Sequence, residues 1–136
     1  MRALALATLL LAPAAAAAQD PANDLLRDLG LAPAAQLVTV QALRRADGLV
    51  VVTLTPQGAV KLVADPGVSV VPVDQAGLPV ADPVAMLDRA KEYFPLPPSL
   101  VVHPGTAAAL KVEYAYCVVA KQCLFGDVTV AIPPPA

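Results

Sequence analysis

Cys117 and Cys123 are the only cysteines in this 136-residue chain, and five residues separate them. Two thiols this close can form an intramolecular disulfide, and a disulfide that another thiolate can reach exchanges electrons through a mixed disulfide. Closing a loop of about 7 residues restricts the unfolded chain by only about 2–2.5 kcal/mol, against about 4.7 kcal/mol for a loop of about 100 residues. The spacing therefore suits a redox switch better than a structural cross-link.

Two alternating segments between residues 110 and 132 must position these thiols, and the alternation predicts a pair of half-buried β-strands. Side chains on a strand alternate between its two faces. The apolar parity consists of Leu110, Val112, Tyr114 and Tyr116 in the first segment, and of Leu124, Val128, Val130 and Ile132 in the second. Each cysteine falls on the opposite, more polar parity, with Lys111, Glu113, Asp127 and Thr129. We expect a disulfide near the surface of a hairpin, unless a bulge at Gly126 switches the faces.

The first residues have the features of a secretory signal peptide. Arg2 precedes an apolar run that ends at Leu11, and a string of alanines from Ala14 to Ala18 follows. A basic start, an apolar segment of about 10 residues and small residues at the cleavage site define such a signal. The run is shorter than the roughly 20 residues of a membrane span. We predict cleavage after Ala18, a periplasmic or secreted protein, and no stable membrane insertion. A disordered alanine-rich start is the alternative.

The rest of the chain predicts one all-β domain after a short lead-in. Residues 19–35 contain an amphipathic pattern, from Asp20 to Leu31, that predicts a short helix. Residues 36–136 form the domain. Short strands separated by Gly and Pro turns favour a β-sandwich over a βαβ fold; we place them at 36–42, 49–55, 59–63, 68–73 and 99–103. Between residues 80 and 94, Asp82 as a cap and Pro83 at the first helical position predict a short helix or helical loop.

The final hairpin also carries a resemblance to a known family. Its pattern Val112-x-Tyr114-x-x-Cys117-x5-Cys123, followed by a Val/Ile strand that ends in proline, resembles the C-terminal hairpin of the N-terminal periplasmic domain of the thiol-disulfide interchange protein DsbD. The close match covers about 25 residues. The resemblance implies an immunoglobulin-like sandwich, a mixed disulfide formed by Cys123, and Cys117 as the resolving cysteine. It also places a shielding loop between residues 80 and 94.

Within that loop, Tyr93 and Phe94 are the aromatic candidates for covering the disulfide, with ordinary packing before the proline-rich turn as the alternative. The implied partners are a thioredoxin-like or membrane thiol-transporter protein and oxidised client proteins, with no bound cofactor. One departure is the early stretch Gly58 to Lys61, which lacks the tyrosines that the family has there. Lys121 would favour a thiolate at Cys123, whereas Glu113 and Asp127 would oppose it.

Other functions remain open from the sequence. A secreted β-sandwich binding module with a purely structural disulfide is the main alternative, and a Cu(I)-handling dithiol is a third. His103 as the only histidine, with two cysteines five residues apart, does not form a familiar zinc-site pattern, and we predict no metal. A net charge of −2 and the lack of a basic stripe argue against nucleic-acid binding. The sequence contains no Ser/His/Asp grouping with an interpretable spacing, which argues against hydrolysis.

Overall fold

A computed structural model describes residues 37–118 and 122–135. Their regular structure is almost entirely β, as the sequence predicts. Eight strands follow one another along the chain: β1 (Val38–Arg44), β2 (Val50–Pro56), β3 (Val60–Leu62), β4 (Val68–Val73), β5 (Val84–Met86), β6 (Ser99–Val102), β7 (Ala109–Val118) and β8 (Gln122–Ala131). Within the described residues, no helix is long and apolar enough to cross a membrane.

The strands form two sheets in which every pairing is antiparallel. The smaller sheet has the order β1-β2-β6. In the larger sheet, β7 pairs along its whole length with β8. Its other edge pairs first with β4 and then, nearer its C-terminal end, with β3, while β5 extends the sheet beyond β4. The two sheets are consistent with the predicted β-sandwich.

The core consists of the apolar parities of strands from both sheets. In β2 and β4, buried side chains alternate with partly exposed ones, as expected of strands that are covered on one face. Among the described residues, the largest fully buried side chains are all aliphatic or proline, and include Leu37, Leu54, Leu62, Leu110 and Pro72. Burial of this apolar surface is the main force that holds the two sheets together.

The pairing of β7 with β8 runs without interruption from Ala109–Ala131 to Val118–Gln122. Tyr114 lies directly opposite Gly126, so the glycine does not introduce the bulge that would have switched the faces of β8. The parity read from the sequence therefore applies to the whole hairpin.

The segment from Val80 to Phe94 differs from its prediction. In place of a helix it contains the short strand β5, which pairs with Val68–Val70 of β4, and a turn after it. The prediction was wrong because Asp82 and Pro83 supply only a local start signal. Pairing with a neighbouring strand satisfies the same backbone groups and overrides such a weak preference. The helix predicted between Asp20 and Leu31 and the signal peptide lie outside the described residues.

Candidate functional site

The two cysteines form a disulfide at the end of the β7–β8 hairpin. They lie directly opposite each other in the strand register, with their Cα atoms 4.0 Å apart and their sulfur atoms bonded. Residues that face each other across two strands have their side chains on the same side of the sheet. Because Tyr114 and Tyr116 point into the core, the disulfide lies on the outer face, as the parity predicted.

The two sulfur-bearing residues differ in their exposure. Cys123 lies on the outermost strand and is exposed, whereas Cys117 lies on an inner strand and is only 5% exposed. The expectation of a surface position is thus correct for Cys123 and wrong for Cys117. The sequence pattern places Cys117 on the outer face, but it does not reveal what covers that face.

The connection between β5 and β6 pairs with β3, the strand next to Cys117. The backbone N–H of Ala64 donates to the carbonyl oxygen of Glu92 across 3.0 Å, and the N–H of Phe94 donates to the carbonyl oxygen of Leu62 across 3.0 Å. Val63 and Tyr93 face each other between these two bonds as an isolated β-bridge. The connection is therefore held like a short extra strand, and its Tyr93 side chain lies on the outer face of the sheet.

Tyr93 and the disulfide border the same cavity, which has a volume of about 240 Å³. Its lining is mostly apolar and comprises both cysteines with Val63, Pro66, Glu92, Tyr93, Ala115, Leu124 and Phe125. Phe125 is 82% exposed, although it stands beside Cys123 on the same face. Of the two aromatic candidates for the shielding role, Tyr93 is at the disulfide, whereas Phe94 lines a separate cavity with Leu96.

An anion lines this cavity, and a cation lies beside one of the residues that line it. Lys61 of β3 is the register partner of Cys117 on the side away from Cys123, and its Nζ atom lies 5.5 Å from the centroid of the Tyr93 ring. Burial, together with the neighbouring Glu92 carboxylate, raises the pKa of the Tyr93 hydroxyl. Tyr93 is therefore neutral at physiological pH, whereas Lys61 and Glu92 carry the charges beside it.

Sequence reasoning missed two residues of this site. Phe125 shares the parity of Cys123, so alternation alone could have identified it. Lys61 alternates with two buried residues in β3, which indicates an outward side chain, but no local signal identifies Cys117 as its neighbour. Lys121, the cation that the sequence placed near Cys123, lies outside the described residues.

The acidic residues that were expected to oppose a thiolate lie further away. Glu113 and Asp127 face each other across the hairpin, four residues along each strand from the cysteines. At 3.3 Å per residue this separation is about 13 Å, which exceeds the Debye length of about 8 Å at physiological ionic strength. Their influence on the sulfur atoms is therefore largely screened.

His103 directly follows the last residue of β6, so the strand predicted at 99–103 ends one residue earlier. Over the described ranges, 37–118 and 122–135, no group of three or more His, Cys, Asp or Glu residues could hold a metal ion. The chain matches no family model, no curated protein and no solved structure.

Proposed function

We propose that this protein is an exported thiol-disulfide exchange protein that uses Cys117 and Cys123 as a reversible redox pair. The observation that carries the proposal is the unequal access to the two ends of one disulfide: Cys123 is exposed at the edge of the larger sheet, whereas Cys117 is buried. An attacking thiolate must be able to reach one sulfur. The other sulfur leaves the broken bond as a thiolate, stays in the protein and can later resolve the mixed disulfide.

In the proposed reaction, a thiolate of a reduced partner attacks Sγ of Cys123. The Cys117–Cys123 bond breaks as the new partner–Cys123 bond forms, and Cys117 takes the electron pair as a thiolate. A second thiolate of the partner then attacks the partner's own sulfur and releases Cys123. The partner leaves as a disulfide, and two electrons have moved to this protein. Running the same steps backwards reduces an oxidised client protein.

The hairpin pattern, the outer-face disulfide and the aromatic side chain beside it are what the resemblance to the N-terminal domain of DsbD leads us to expect. We extend the proposal accordingly to an immunoglobulin-like sandwich in the periplasm or outside the cell. Its electron donor would be a thioredoxin-like or membrane thiol-transporter protein, and its acceptors would be oxidised clients. Tyr93 takes the shielding role.

A second candidate function is a secreted binding module in which the disulfide only strengthens the hairpin. The burial of Cys117 favours this alternative, because a sulfur that no thiolate can reach is inert in exchange. The two candidates differ in what they require of the disulfide, and one measurement separates them.

The deciding measurement is the reduction potential of the Cys117–Cys123 pair in the mature protein, equilibrated with glutathione or dithiothreitol buffers. Structural disulfides usually lie below about −300 mV, and exchangeable ones lie above it. The exchange function predicts a value well above this boundary and rapid reaction with a reduced thioredoxin. A very low value with slow reduction would instead support the binding module.

Single-cysteine variants test the assignment of the attacked sulfur. Cys117→Ser leaves Cys123 as the free thiol and should form a stable mixed disulfide with a partner, because no resolving cysteine remains. Cys123→Ser is the matched control and should form little. A mixed disulfide that accumulates on Cys117 and not on Cys123 would reverse the assignment.

A further inference from the structure

Three side chains form a row across the outer face of the larger sheet, on three adjacent strands. Lys61 on β3 is the register partner of Cys117 on β7, and Cys117 is the register partner of Cys123 on β8. Side chains paired in this way have Cβ atoms about 4.5–5.5 Å apart. Cys117 therefore stands between its disulfide partner on one side and a lysine on the other.

The Lys61 side chain lies near Tyr93 on the outer face of the larger sheet. Its ammonium group lies 5.5 Å from the centroid of the Tyr93 ring, and Tyr93 borders the cavity that contains the disulfide. An ammonium group near the face of an aromatic ring is attracted by the ring quadrupole. The ring thus favours lysine conformations in which the ammonium group stays near Tyr93 over conformations that extend into solvent.

The position of Lys61 matters because Sγ of Cys117 is the leaving group when the disulfide opens. Attack on the exposed Cys123 transfers the electron pair of the broken bond to Sγ of Cys117. A leaving thiol with a lower pKa departs faster, and a neighbouring Lys or Arg lowers the pKa of a cysteine thiol. The strand register places Lys61 beside Cys117, the residue whose sulfur gains the negative charge.

Other charged groups on this face act against Lys61 or lie too far away to matter. Glu92 borders the same cavity and opposes a thiolate, and Tyr93 is neutral at physiological pH. Glu113 and Asp127 lie about 13 Å along the strands, beyond the screening distance of about 8 Å. Within residues 37–118 and 122–135, Lys61 and Glu92 are therefore the charges that we test at Cys117.

We propose that Lys61 stabilises the Cys117 thiolate and so promotes both opening of the disulfide by attack at Cys123 and the later resolving attack by Cys117. The inference rests on the proposed exchange function. It assigns to Lys61 an electrostatic role through Cys117, with no contact to the partner protein.

The test first measures the thiol pKa of Cys117 in the Cys123→Ser background. The ultraviolet absorbance of the thiolate is recorded as the pH is raised. Lys61→Met keeps the length of the side chain but removes its charge. Since Lys61 is exposed, the substitution leaves the core intact. We expect it to lower the thiolate fraction near neutral pH by about two- to fivefold, the effect of one partly screened surface charge.

Three comparisons make this result specific to charge. Lys61→Arg keeps the charge and should retain most of the thiolate. Glu92→Gln removes the opposing charge and should increase the thiolate fraction. High salt should shrink the difference between Lys61 and Lys61→Met, because the charges lie near the surface. A purely structural role of Lys61 would show none of these three effects, and an unchanged pKa in Lys61→Met would overturn the proposal.

The full cysteine pair then links Lys61 to the reaction. Reduction of the disulfide by dithiothreitol should be slower in Lys61→Met by a factor similar to the loss of thiolate. The pKa of Cys117 can be measured whether or not a protein partner exists. A low reduction potential combined with a Lys61-dependent pKa of Cys117 would reject the exchange function and retain the electrostatic role of Lys61. A high reduction potential with no effect of Lys61 on that pKa would retain the exchange function and reject the electrostatic role.

Discussion

The two sulfur atoms of the disulfide have different surroundings because one lies on an inner strand and the other on an edge strand. β8 pairs only with β7 in the part of the chain that the structure describes, so Cys123 is open to solvent on its outer side. Cys117 lies between β3 and β8, at a cavity that Tyr93 borders. Under the proposed exchange function, this difference would direct an attacking thiolate to Cys123.

Replacement of Tyr93 tests this shielding at the level of a single residue. Tyr93→Ala removes the ring from the cavity wall, and we expect dithiothreitol to reduce the disulfide about threefold faster or more, since exchange depends on access to sulfur. Tyr93→Phe keeps the ring and is the matched control, with a rate close to that of the unaltered protein. Stopped-flow or quenched alkylation measures both rates.

An equal rate in Tyr93→Ala and Tyr93→Phe would show that the ring does not limit access. Thermal unfolding of the two variants in parallel separates loss of shielding from loss of the fold. A faster rate counts as shielding only if the alanine variant is still folded at the temperature of the experiment.

At the level of elements, the turn between β3 and β4 allows β7 to pair with both strands along one edge. This turn contains the cis peptide bond Asp65–Pro66, followed by Gly67 with a φ of +84°. A Cβ atom at Gly67 would collide with the carbonyl oxygen of Met86 and lie 2.8 Å from Cβ of Leu87. The backbone at the start of β4 is therefore packed directly against the end of β5.

Gly67→Ala should destabilise the protein by about 2–4 kcal/mol, because backbone strain at positive φ adds to a collision with main-chain atoms that cannot easily move. Gly77 is a matched control, since its φ is also +84° but an added Cβ would meet nothing within 4 Å. Gly77→Ala should cost only about 1 kcal/mol. Urea unfolding measures both, and equal losses would contradict the close packing of β4 against β5.

At the level of the whole molecule, the core of the described residues contains a tyrosine hydroxyl without a hydrogen-bond partner. Tyr114 is 2% exposed, and its hydroxyl has no hydrogen-bond partner among the described residues. Burial, with smaller contributions from Tyr116 and Asp127, raises the pKa of Tyr114 to about 12. A buried hydroxyl without a partner lowers stability relative to an apolar group of the same shape.

Tyr114→Phe should therefore stabilise the protein by about 1 kcal/mol at neutral pH, where urea unfolding measures the difference. Tyr116→Phe is the control, because the Tyr116 hydroxyl is not among the unpaired buried groups. A loss of stability in Tyr114→Phe would mean that the hydroxyl has a partner.

The same pair of variants tests how the free energy of unfolding depends on alkaline pH. In the unfolded chain a tyrosine ionises near pH 10, while folded Tyr114 stays neutral up to about pH 12. The free energy of unfolding is thus unaffected by this group below about pH 10 and falls by about 2–3 kcal/mol as pH rises to about 12. In Tyr114→Phe this part of the alkaline loss should disappear.

Local patterns in the sequence predicted most of the strands. The segment 68–73 coincides with β4, and 49–55 differs from β2 by one residue at each end. Such segments are readable because alternation and turn residues act over a few neighbouring positions. The segment 80–94 was misread because its backbone is satisfied by β4 and by Leu62 and Ala64, which are distant in sequence.

The sequence by itself determined that the chain is rich in β-strands, that its two cysteines can pair, and that both lie on the outer face of the last hairpin. Only the tertiary structure decided that Tyr93 and the disulfide border one cavity and that Lys61 is the register partner of Cys117. The physical reason is that these contacts depend on the register between strands far apart in the chain. Side-chain periodicity reports which face a residue occupies, but it does not report which strand will lie next to it.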